Sequence, residues 1–181
     1  MGISNFRIAC IPFREMAVTE TLTLPQAADK AETYAALLPQ VEAVIAGEDD
    51  LIANLANVAA MLKAAFDFHW VGFYRVLAPG MLVLGPFQGP LACVRIPFGR
   101  GVCGTAAATR ETQLVPDVDA FPGHIACSSL SRSEIVVPLV AAGETSLVLD
   151  VDSAISNGFD ATDRDNLEAL VALIRTRHFG G

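Results

Sequence analysis

The run Trp70-Val-Gly-Phe-Tyr-Arg-Val76, the turn Ala78-Pro-Gly80 and the returning run Met81-Leu-Val-Leu84 constrain this chain more than any other stretch. β-Branched and aromatic residues on both sides of a proline–glycine turn make a β-hairpin. The two strands of a hairpin pair antiparallel. Trp70 and Tyr74 lie four residues apart and therefore share one face of their strand, while Phe73 points to the other. A second strand pair follows downstream, Ile135–Val140 and Leu147–Asp152, joined through Ala-Ala-Gly-Glu-Thr. Asp150 and Asp152 alternate with apolar residues in it, so their carboxylates share a face. They mark either a solvated sheet surface or a pocket in which a proton or a cation offsets the repulsion.

Helical periodicity flanks these strands. From Ala27 onward Leu37, Val41, Val44 and Ile45 recur at three- and four-residue steps behind Glu32. Asp49 or Asp50 caps a second helix, with the stripe Leu51, Leu55, Val58, Ala59 and Leu62, ending near Phe66. Asp160 to Asp163 cap the last helix, whose stripe is Leu167, Leu170, Val171 and Ile174. Shorter signals lie between: a strand over Leu91–Ile96 carrying Cys93, a glycine-rich turn leading to a helix after Cys103, and a strand over Gln113–Val115. The order describes an α+β domain, an antiparallel sheet with helices packed against it. Residues 1–26 lack a period and are expected to be a flexible extension before a domain spanning 27–181. Met16 is a reasonable biological start, and Cys10 receives no role.

Of 181 residues 52% are hydrophobic, enough for one sizeable core. The formal charge of −8 leaves no basic field for nucleic acid or anionic membranes, so the expected partner is a small molecule or a protein. No apolar run reaches the roughly 20 residues that span a bilayer. Arg7 and Arg14 interrupt any signal peptide, and Phe6 stands where myristoylation wants Ser or Thr. A cytoplasmic protein is expected.

Cys93, Cys103 and Cys127 sit beside small or turn-forming residues that leave a sulfur reachable. Their spacing matches no CxxC zinc pattern, and His69, His124 and His178 form no HxxxH pair. Cys103 falls near a helix N-terminus, where backbone amides favour the thiolate. GRGVCGT lacks the lysine of a phosphate loop. Cys127 follows His124 by three residues in a proline-, glycine- and aspartate-rich loop, an arrangement open to a nucleophile activated by histidine or to thiol exchange. Two further thiols nearby suit exchange better than acyl transfer.

In that order and with those gaps, WVGFYRV, LGPFQGPLACVRIPFGRGVCGTAA, PDVDAFPGHIAC, SEIVVPL and LDVDS closely resemble the free methionine-(R)-sulfoxide reductases, the catalytic branch of the GAF-domain superfamily, over about residues 30–177. The resemblance implies a GAF-like sheet with Cys127 as nucleophile, Cys93 as resolving thiol and Cys103 as auxiliary partner. It places Glu134, Asp150 and Asp152 on the acidic wall of a substrate pocket and Trp70 and Tyr74 on its aromatic wall. It implies a homodimer that serves the oxidative stress response, binds no metal or organic cofactor, and is regenerated by NADPH-linked thioredoxin. Ser128 replaces the usual Asp, Asp119 an often-seen His, and LVLDVDS the usual GVLDIDS. A thiol beside one fewer carboxylate ionises more readily. Two other readings make their own predictions: a non-catalytic GAF module that senses a small ligand loses no thiols on meeting methionine sulfoxide, and a Cys-His hydrolase is acylated at Cys127.

Overall fold

Asp29 opens the first regular element. Its carboxylate accepts from the backbone N–H of Glu32, and the Glu32 carboxylate accepts from the Asp29 N–H, a reciprocal cap that starts helix α1 (Lys30–Ala46). The computed structural model describes residues 21–125 and 128–180. Met16, Cys10 and Cys127 lie outside the described residues. Residues 21–29 carry no helix or strand, yet Leu22 packs on the core, and the Gln40 amide donates to the Thr23 carbonyl and accepts from its N–H.

Asp50, rather than Asp49, caps α2 (Leu51–Ala65) by accepting from the Ala53 N–H. Strands β1 (Trp70–Ala78) and β2 (Met81–Gln88) then form the hairpin, followed by β3 (Arg95–Pro97). Helix α3 (Gly101–Thr109), β4 (Gln113–Val115) and a 3-10 turn over Val118–Ala120 lead to β5 (Ser133–Ala141), β6 (Glu144–Ser153) and α4 (Ala161–Phe179). The six strands lie in the order β3-β2-β1-β6-β5-β4, every neighbouring pair antiparallel. The α+β architecture expected from the hairpins is the one observed.

Alternation along the central strands divides the molecule in two. Val71 and Phe73 of β1, Ile135, Val137 and Leu139 of β5, and Leu147, Leu149 and Val151 of β6 join the stripes of α1, α2 and α4 in the larger core. Trp70, Tyr74, Val136 and Val148 face the other way, against Val102, Cys103, Ala106 and Ala107 of α3. That smaller cluster borders the site.

One expected strand is shortened. Cys93 does not lie in β3, which begins only at Arg95, but in the loop before it. Gly89 takes φ +137°, and the Pro90 carbonyl turns to accept from Trp70 Nε1 at 3.1 Å. The loop therefore wraps the indole before the chain rejoins the sheet.

Candidate functional site

Side chains from three adjacent strands meet on the α3 side of the sheet. Trp70 pairs with Asp152 across β1 and β6, and Asp152 pairs with Glu134 across β6 and β5, making one row. In the next row Asp150 lies between Gly72 and Val136. Gly72 supplies space: a Cβ there would lie 2.6 Å from Trp70 Cη2 and 2.4 Å from Phe87 Cβ. The indole, stacked on Phe87 and Tyr74 with centroids 5.4 and 5.9 Å away, occupies that room.

Helix α3 closes the site from above. Its Gly104 sits against β3, where a Cβ would come within 2.3 Å of the Pro97 carbonyl oxygen. This close approach drives the first turn of the helix down onto the acids, with Cys103 Sγ 3.8 Å from Glu134 Oε1. Trp70, Tyr74, Cys103, Glu134, Asp150 and Asp152 thus line one cavity, which Arg100, His124 and Ile125 also border. Its open interior is about 40 Å³.

Burial governs the electrostatics. Glu134 is 7% exposed and Asp150 6%. Desolvation, then mutual repulsion among the three acids, pushes the Glu134 and Asp150 carboxyls well above the usual carboxylate range. Asp152 is raised to about 6, chiefly by desolvation, against a hydrogen bond from Ser131. Asp150 is therefore not on a solvated sheet surface, because α3 and the loops cover it, while Asp152 beside it is half-buried.

Cys103 departs from two expectations. Its sulfur is buried rather than reachable, and the thiol is pushed well above its ordinary value, first by desolvation and then by Asp150 and Glu134. The α3 N-terminus cannot offset two acids and the loss of water. Cys93 is half-buried against the same cluster and is disulfide-bonded. Among the described residues only Cys103, Glu134 and Asp150 form a group able to hold a metal ion.

The GAF domain family model matches residues 46–176. The chain belongs to the GAF-domain family. This GAF domain is 57% identical over 145 residues to GAF domain-containing protein A of Dictyostelium discoideum, covering 80% of this chain and 92% of the relative. It is 50% identical over 145 residues to the free methionine-R-sulfoxide reductase of Escherichia coli, covering 80% and 87%. The X-ray structure of free methionine-R-sulfoxide reductase from Neisseria meningitidis in complex with its substrate superposes with a TM-score of 0.83 at 57% identity, covering 87% of this chain and 95% of that one. The resemblance stated from the five strings is therefore borne out. No helix among the described residues is long and apolar enough to cross a membrane.

Some residues at the site of this GAF domain carried no signal in the sequence. His69 Nε2 lies 3.0 Å from Ser128 Oγ, and the His69 N–H donates to the Asp152 carbonyl. Ser131 reaches Asp152. Ser128 is marked only as standing where the family usually has Asp, His69 and Ser131 belong to no motif, and only strand pairing and the return of the 128–132 segment bring the three together.

Proposed function

We propose that the protein reduces free L-methionine-(R)-sulfoxide to L-methionine. The observation that carries this reading is the cavity itself, with an aromatic wall and three carboxyls, two of them pushed well above the usual carboxylate range by burial. Acidic and aromatic walls of this kind suit a small zwitterion with an apolar chain. Named relatives at half identity or better support the same reaction.

The Cys127 thiolate attacks the sulfoxide sulfur while Glu134 or Asp152 gives a proton to the oxygen that leaves with the nucleophile. Methionine departs, and Cys127 becomes a sulfenic acid. The Cys93 thiol condenses with it, releasing water and forming a disulfide, with Cys103 as auxiliary thiol. The dithiol of thioredoxin reduces that disulfide by exchange, restoring both thiols at the expense of NADPH. The remaining carboxylates receive the substrate ammonium group, and Trp70 and Tyr74 receive its methyl and chain. The reaction uses no bound cofactor, and the protein works as a cytoplasmic homodimer.

The test is NADPH consumption coupled through thioredoxin and its reductase, comparing the free (R) epimer, the (S) epimer and a blocked peptide form. Turnover of the free (R) epimer alone, abolished by Cys127→Ser, is the expected result. Folded, pre-reduced protein that turns over none of them would overturn the proposal in favour of a ligand-sensing GAF module.

A further inference from the structure

Cys103 Sγ, one oxygen of Glu134 and one of Asp150 lie within 4.8 Å of one another, delivered by the first turn of α3, by β5 and by β6. A second observation concerns Asp150 alone. Its Oδ1 is buried and has no hydrogen-bond partner among the described residues, although Asp150 is only 6% exposed. Cys103 and Glu134 interact with the Asp150 carboxyl, yet this oxygen has lost water without gaining a partner in hydrogen-bond geometry.

The donor set selects a class of ion. One thiolate sulfur with two carboxylate oxygens suits a borderline-soft cation and disfavours magnesium or calcium, which take oxygen alone. The spacing agrees. Zinc–sulfur and zinc–oxygen bonds at a tetrahedral angle place sulfur and oxygen roughly 3.6 Å apart, and Cys103 Sγ stands 3.8 Å from Glu134 Oε1. The cavity offers a fourth position to water, as in zinc sites that keep an open coordination place. An interior of about 40 Å³ has room for an ion and its water.

We propose that Cys103, Glu134 and Asp150 form a binding site for a divalent cation of the zinc class in the reduced, substrate-free protein. The ion replaces the protons of the three groups, with no change of oxidation state, and gives Asp150 Oδ1 its missing partner. CxxC spacing could not reveal the site, because each ligand comes from a different element. The ion takes the acids on which the substrate depends, so zinc excludes methionine sulfoxide. That consequence rests on the reductase reading; binding of the ion does not.

The experiment is titration of the fully reduced protein with cobalt(II), followed by the near-ultraviolet thiolate-to-cobalt absorption. The band is expected in the wild type and in a Cys93→Ser/Cys127→Ser double variant, to disappear in Cys103→Ser, and to be bleached by zinc. Asp150→Asn and Glu134→Gln, shown by thermal melting to be folded, are expected to keep the sulfur band but to need at least about ten-fold more cobalt, the loss of one ligand or its support. Absence of the band in the folded wild type would overturn the site, as would its survival in Cys103→Ser or unchanged affinity in both carboxyl variants. These readouts need no turnover, so failure of the metal site and failure of the reductase reading remain distinguishable.

Discussion

His69 Nε2 lies 3.0 Å from Ser128 Oγ, while the backbone N–H of the same histidine donates to the carbonyl of Asp152. One residue thus joins the start of β1, the acid-bearing end of β6 and the segment that follows Cys127. His69→Ala should lower kcat about ten-fold, the worth of one well-placed hydrogen bond, with a smaller change in KM. His69→Gln, which keeps a polar group at similar reach, should recover most of the loss. Steady-state kinetics on the free (R) epimer checks both.

Gly72 is the position where adding one methyl group should cost most at the site. The Cβ of Gly72→Ala meets Trp70 and Phe87 inside contact distance, so the indole must leave its stack. The expected outcome is a loss of about 1–3 kcal/mol of stability, the usual cost of overpacking. KM should rise and Trp70 fluorescence should shift, since it is the only tryptophan.

The acids make stability depend on pH. Asp152 is raised from 3.8 to about 6, so between these values the folded chain holds a proton that the unfolded chain has released. Stability falls as pH rises through that window, and the higher Glu134 and Asp150 carry the decline further up. Asp152→Asn should flatten this limb and raise the unfolding free energy at neutral pH by on the order of 2 kcal/mol. Its turnover should drop at least about 100-fold, the loss of a general acid. Urea melts across a pH series, set beside activity, test the pair.

Buried and flanked by two acids, Cys103 should resist alkylation. Under native conditions at neutral pH, iodoacetamide should label it at least about 100-fold more slowly than a free cysteine, because the thiolate is the reacting form. Peptide mapping before and after unfolding gives the ratio.

The hairpins, the helical stripes and the caps of α2 and α4 belong to local pattern and could be read from the chain, though the sequence leaves Asp49 and Asp50 as equal candidates and does not reveal the Asp29 cap of α1. The facing of Trp70 and Tyr74 away from Phe73 followed from strand alternation. Burial of Asp150 did not, since it depends on α3 being pulled down through Gly104 onto β3, a contact between segments without periodic signal. For the same reason Cys103 was expected to be a reachable thiolate: a helix N-terminus is visible in sequence, but the acids beneath it are not. β3 is shorter than the run Leu91–Ile96 suggests because Gly89 and Pro90 serve the indole rather than the ladder.

The central strands give one face to the helical core and the other to the cavity, with no residue serving both. A one-residue slip of β6 would carry Asp150 and Asp152 among the leucines of the helices and would empty the pocket of acid at once. Correct pairing is therefore enforced by the chemistry as well as by the core, and a misregistered chain would be both unstable and inactive. The same separation means that exchanging side chains on the cavity face disturbs only the packing of α3, and leaves intact the packing that holds the sheet to α1, α2 and α4.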